Sequence, residues 1–169
     1  MDFFDVLRTR RSIRAYKNAP VPAEAVEKIK EAIRLAPTGC NFQPFRFVFI
    51  TNEEVRKQIA AAYPGSWMAK VPMIVAVIGN ADAAWHRRDG GESIVEIDVA
   101  IAMEHLQLAA ADCGLASCWI GAFDRKTVNK VLDIQPPCSA VVLAPLGYPA
   151  QEAAPRTSKS DEELFTFID

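Results

Sequence analysis

Histidine is nearly absent from this 169-residue chain, with His86 and His105 the only two. Neither lies at ligand spacing from Cys40, Cys113, Cys118 or Cys138, and the four cysteines form no Cys-x-x-Cys pair. Metal centres and His-based acid–base chemistry therefore have no positive signal, and free thiols in a reducing compartment are the default reading. None of the eight glycines stands at Gly-x-Gly spacing, so the phosphate fingerprint of the doubly wound dinucleotide fold is missing. A P-loop, a Gly-x-Ser-x-Gly elbow and a His-Glu-x-x-His helix are missing too, which leaves nucleotide-hydrolase, serine-hydrolase and metallopeptidase readings without support. An enzyme with this inventory needs a bound cofactor to carry its reactivity.

Excess charge of one sign is lacking as well. A net charge of −2 and a pI near 5.7 argue against a broad nucleic-acid-binding face. The most apolar stretch, residues 94–113, is interrupted by Glu96, Asp98, Glu104, His105 and Asp112, which excludes an ordinary membrane span. The chain opens on Asp2 with no basic segment leading into an apolar one, so a cytoplasmic protein without a secretory signal is expected.

What is present suits one domain spanning residues 1–169, because half of the residues are apolar and no repeat or linker divides them. Asp2 is placed to cap a short helix, and a second helix carries the stripe Val26, Ile29 and Ile33 until Pro37 and Gly39 stop it. Residues 45–50, 72–79, 115–120 and 140–146 read as strands, with helices at 53–62, 92–112 and 127–132. The long 92–112 helix is apolar around most of its circumference, which predicts burial on nearly every side and packing partly against another subunit. Residues 80–91, with Trp85, His86, Arg87 and Arg88, read as a loop, either a lid at the pocket mouth or a solvated surface connection, and the tail from Pro149 as polar. The economical fold class is α+β.

Two segments carry the chemical information. Arg10-Arg11-Ser12-Ile13-Arg14 gathers guanidinium groups and a hydroxyl, donors that suit one phosphate. Ala36-Pro37-Thr38-Gly39-Cys40-Asn41-Phe42-Gln43-Pro44-Phe45 places amides and a hydroxyl in a turn just before a strand, as a heterocycle-binding site would require. Each has a plainer explanation: cations gather at helix C-termini, and Asn and Gln close turns. Cys40 reads as a small packing residue and Trp119 as core.

These segments, with Gly114-Leu115-Ala116-Ser117-Cys118-Trp119-Ile120-Gly121-Ala122-Phe123 and Leu146-Gly147-Tyr148-Pro149, resemble the nitroreductase family of flavin mononucleotide (FMN) oxidoreductases over nearly the whole chain. The resemblance implies an α+β fold with a central, mainly antiparallel sheet flanked by helices. It also implies an intertwined homodimer that binds two FMN molecules at its interface. Arg10, Arg11, Ser12 and Arg14 would contact the phosphate and ribityl chain, joined by Arg156 and Lys159 of the tail. Pro37, Thr38, Asn41 and Gln43 would reach the flavin from the other subunit, and backbone near Gly121 and Ala122 would approach its ring edge. Relatives carry a closely spaced Lys/Arg pair where Ser158-Lys159 stands here.

The implied activity takes a hydride from NADH or NADPH and passes it, by ping-pong turnover, to nitroaromatic, quinone or similar electron-poor small molecules. Flavin N5 carries the chemistry, so no catalytic side chain and no metal are expected. The alternatives are a specialised flavin reductase or dehalogenase-type relative, or an FMN-binding redox sensor without turnover.

Overall fold

A computed structural model describes residues 1–168. Short polar caps start three of its helices, Asp2 where the sequence places it. Asp2 accepts from Phe4 N at 3.0 Å to open α1 (Phe3–Thr9), Asn52 accepts from Val55 N to open α3 (Glu53–Ala61), and Asp124 accepts from Lys126 N to open α5 (Arg125–Val131). Helix α2 (Ala23–Arg34) has no side-chain cap. Pro22 stands just before its first turn, not within it, and its carbonyl accepts from Val26 N. The long helix α4 (Val95–Asp112) runs between the second strand and the third, and α6 (Asp161–Leu164) is a single turn in the tail, opened by a Ser160–Glu163 capping box.

The strands β1 (Phe45–Ile50), β2 (Met73–Asn80), β3 (Ala116–Ser117) and β4 (Cys138–Gly147) form one antiparallel sheet in the order β1-β2-β4-β3. Strand β2 lies at its centre and explains the two-sided core. Successive side chains of a strand face opposite sides. Met73, Val75 and Val77 join a core with Ile29 and Ile33 of α2, Val99, Met103 and Leu106 of α4, and Val142, Ala144 and Leu146 of β4. Ile74, Ala76 and Ile78 face the other way, onto Ile59 and Ala60 of α3, Met68, Val128 of α5 and Leu143. A strand apolar at every position is what a sheet covered on both faces needs. Among the described residues, no helix is long and apolar enough to cross a membrane.

The third expected strand is much shorter than residues 115–120. Only Ala116–Ser117 pair continuously with β4, and the chain rejoins it at Ile120 opposite Leu143. Between them Trp119 turns outward and is 40% exposed, so it is not core in this chain. The tail also departs from expectation, since it exposes Leu164, Phe165, Phe167 and Ile168 beside its polar residues.

Candidate functional site

The arginine segment leaves α1 as a short extended run. Ser12 bridges Ser117 of β3 in parallel, and Ile13 N donates to Ser117 O at 3.2 Å. From Arg11 onward, beyond the C-cap Arg10, alternation separates the side chains. Arg10 and Arg11, with Ile13, line a cavity of about 220 Å³ shared with Gln107, Ser117 and Gly114, whereas Ser12 and Arg14 are exposed and absent from its lining. Arg11 donates to the carbonyls of Arg8 and Arg10 at 2.6 and 2.7 Å, which closes the helix end. Arg10 approaches Glu104 at 3.8 Å, a partly exposed pair that costs little to exchange for another anion. Arg14 and Ser12 make no side-chain hydrogen bond among the described residues. Nearby, the partly buried Tyr16 hydroxyl donates to Ile13 O at 2.6 Å, and desolvation pushes its pKa well up, so the neutral phenol pins the run at neutral pH.

The second segment is a 3₁₀ turn at Gly39–Asn41 between α2 and β1. Cys40, Asn41 and Gln43 hold φ values of 50°, 57° and 49°, a left-handed backbone that non-glycine residues avoid. The turn is fastened internally: Gln43 N donates to Thr38 Oγ1 at 3.0 Å, and Gln43 Nε2 to Asn41 Oδ1 at 2.9 Å. It is fastened from outside by Gly39 N, which donates to Asp98 Oδ1 at 2.9 Å. Pro37, Cys40, Asn41, Phe42 and Gln43 all face outward, and Phe42 is 54% exposed. Cys40 is thus a surface residue of a strained turn and not a packing residue. Strain of this kind, about 1–3 kcal/mol per residue, clusters at binding sites.

Gly121 and Ala122 follow the Ile120 bridge in an exposed loop, and their N–H groups donate to nothing among the described residues. Arg156 and Lys159 lie in the extended tail, where Lys159 approaches Glu163 at 3.7 Å. The chain therefore brings Arg10 and Arg11 together at one cavity and Thr38, Asn41 and Gln43 together at one turn, without joining the two groups or gathering the tail cations to either. Both histidines are engaged: His105 Nδ1 lies 3.0 Å from Ala32 O, and His86 Nδ1 lies 2.9 Å from Ala84 O.

A model of the Nitroreductase family matches residues 7–72 and 61–148. The chain belongs to the nitroreductase family. This nitroreductase-family chain is 28% identical over 181 residues to the oxygen-insensitive NADPH nitroreductase of Helicobacter pylori strain J99, covering 85% of each. It is 27% identical over 177 residues to the NAD(P)H FMN reductase of Bacillus subtilis strain 168, covering 94% of this chain and 70% of that one. The crystal structure of a nitroreductase family protein from Clostridium difficile 630 superposes with a TM-score of 0.92 at 26% identity, covering 100% of this chain and 99% of the other.

Sequence reasoning passed over two buried polar groups beside these segments. Gln107 Nε2 donates to Ser117 Oγ at 3.4 Å behind the arginine cavity, and Asp98 holds the turn. Asp98 is visible in the sequence as one of the four carboxylates that interrupt the apolar 94–113 stretch, with no signal that it alone is buried.

Proposed function

We propose that this chain is an FMN-dependent NAD(P)H oxidoreductase that reduces nitroaromatic, quinone or similar electron-poor small molecules by ping-pong turnover. The observation that carries it is the pairing of the arginine run with a strained, outward-facing Asn/Gln turn in a nitroreductase-family chain. The donor chemistry fits FMN. Arg10, Arg11, Ser12 and Arg14 supply hydrogen bonds to its phosphate and ribityl chain, those to the charged phosphate contributing about 1.5–3 kcal/mol each. Arg156 and Lys159 add positive charge. Thr38, Asn41 and Gln43, with Pro37 shaping the turn, orient the ring's polar edge, and the free N–H groups of Gly121 and Ala122 face its other side.

One chain does not complete such a site. Its arginine cavity, at about 220 Å³, falls below the roughly 300 Å³ at which ligand pockets begin, and Pro37, Asn41 and Gln43 of the turn are exposed. A homodimer, in which one protomer's arginine run meets its partner's turn, resolves both points and covers Phe42, Trp119 and the apolar tail. The unit is one cytoplasmic FMN-binding domain of residues 1–169. FMN, when bound, supplies hydride acceptance at N5 and electron return to the acceptor. The protein holds it, leaves one face for both substrates in turn and needs no acid–base side chain, in keeping with two histidines bound to carbonyls.

The test is the visible absorption spectrum of the purified protein before and after anaerobic addition of NADH or NADPH. Flavin bands that bleach are expected. Bands that persist would leave a binding protein without turnover, and no bands after FMN addition would overturn the reading. Initial-rate lines for two substrates should be parallel, and intersecting lines would remove the ping-pong scheme.

A further inference from the structure

Asp98 lies in the first turn of α4 and is 1% exposed. Its Oδ1 accepts from Gly39 N at 2.9 Å, a bond between residues 59 positions apart, while Oδ2 has no hydrogen-bond partner among the described residues. A buried carboxylate with a single protein donor is costly. The mechanism above gives it nothing to do, and an apolar side chain would fill the same space more cheaply. The helix N-terminus offsets part of that cost. With Oδ2 unpartnered, the acceptor strength of the carboxylate falls on the Gly39 N–H, where a charge-assisted bond is stronger than a neutral one.

That N–H opens the turn that carries Cys40, Asn41 and Gln43 in left-handed conformations. Three such residues in four positions persist only when the surroundings dictate them. The Thr38–Gln43 and Asn41–Gln43 bonds are internal to the segment and would move with it. Asp98 is the polar fastening between the turn and the rigid body of the fold, with the Gly39 backbone pressed against Ile94 and Trp85 beside it.

We propose that Asp98 is a positioning residue: through the Gly39 N–H it locks the 37–43 turn in the form that presents Asn41 and Gln43 to FMN. The inference rests on the FMN reading above. Its test uses the full chain as Asp98→Ala and Asp98→Asn, with two readouts on apoprotein: FMN titration by flavin fluorescence, and hydrogen exchange of the peptide spanning residues 37–43.

Ala removes the acceptor together with a buried oxygen that had no partner. D98A is therefore expected to raise the FMN dissociation constant about 10-fold or more and to speed exchange across 37–43, while exchange in α2 stays at the wild-type rate. Asn keeps an oxygen for Gly39, so D98N is expected to restore slow exchange and to bind FMN within about 3-fold of wild type. A D98A protein that binds FMN like wild type overturns the proposal, as does a D98N turn that exchanges as fast as that of D98A. If D98A does not fold, D98N decides alone through the protection of the Gly39 amide. Failure of wild type to bind FMN would sink the functional reading instead, and the exchange comparison would still decide whether Asp98 holds the turn.

Discussion

Gly39→Ala is the most quantitative perturbation the turn offers. A Cβ added at Gly39 would stand 2.8 Å from Ile94 Cδ1 and 2.9 Å from Trp85 Cβ. Carbon atoms prefer about 3.5–4.0 Å. The Ile94 methyl can swing away, but Trp85 Cβ is fixed to the backbone of the loop that follows β2. Turn or loop must therefore part by about 0.6 Å to reach ordinary contact. A shift of that size along the Gly39 N–Asp98 Oδ1 bond takes it from 2.9 Å to the edge of useful geometry at about 3.5 Å. Overpacking of this kind costs about 1–3 kcal/mol. If the strain falls on the binding conformation, the FMN dissociation constant rises roughly 5- to 150-fold. If it falls on the fold, the unfolding midpoint drops by about 2–4 °C per kcal/mol for a chain of this size. Fluorescence titration of apoprotein and a thermal melt together capture the whole cost. A G39A protein with wild-type values in both would refute the packing argument.

Three further outcomes follow from the same geometry. Arg14→Ala should leave folding stability within about 0.5 kcal/mol of wild type, because the side chain is exposed and unpaired, yet weaken FMN binding about 10-fold or more; equal affinity would take Arg14 out of the phosphate site. Light scattering at micromolar concentration should give about twice the chain mass of 18.6 kDa, and a monomeric mass would remove the two-subunit site. Burial raises the pKa of the Cys113 thiol, so near pH 8 its thiolate fraction lies below that of an exposed cysteine and its alkylation is slower. Cys118, 1% exposed, should react only on unfolding. Mass-mapped labelling over time checks both, and rapid modification of Cys118 in the folded protein would contradict its burial.

Much of the architecture was legible because periodicity and burial agree. Residues 73–79 are apolar at every position, which only a strand covered on both faces requires, and α4 buries Val99, Met103 and Leu106 against α2 and the sheet, although Ile97 on its other side stays 46% exposed, short of the burial on nearly every side that its sequence predicts. Strand β3 was overestimated since an apolar, β-prone run extends through Trp119, while pairing breaks where that residue turns out. Trp119 and Cys40 were misplaced for one reason: propensity assigns apolar side chains to the interior of their own chain, whereas both stand at its surface. The left-handed backbone at Cys40, Asn41 and Gln43 was equally hidden, because only Gly39 among its neighbours marks an unusual turn and its own φ is not positive. The arginine and Asn/Gln segments stand out in the sequence by residue type, but their separation within one chain is a property of three-dimensional placement.

The sheet order β1-β2-β4-β3 has a further consequence, for the order of synthesis. Met73 pairs with Leu146 and Asn80 with Cys138, so β2 gains its second neighbour only after residues 138–146 have been made. At about 5–20 residues per second the interval lasts on the order of several seconds. Through it Met73-Ile74-Val75-Ala76-Val77-Ile78, uncharged and rich in β-branched residues, has one free edge. The strand buried on both faces of the finished sheet is thus also a hazard on the ribosome, and expression yield should depend on how fast β4 arrives.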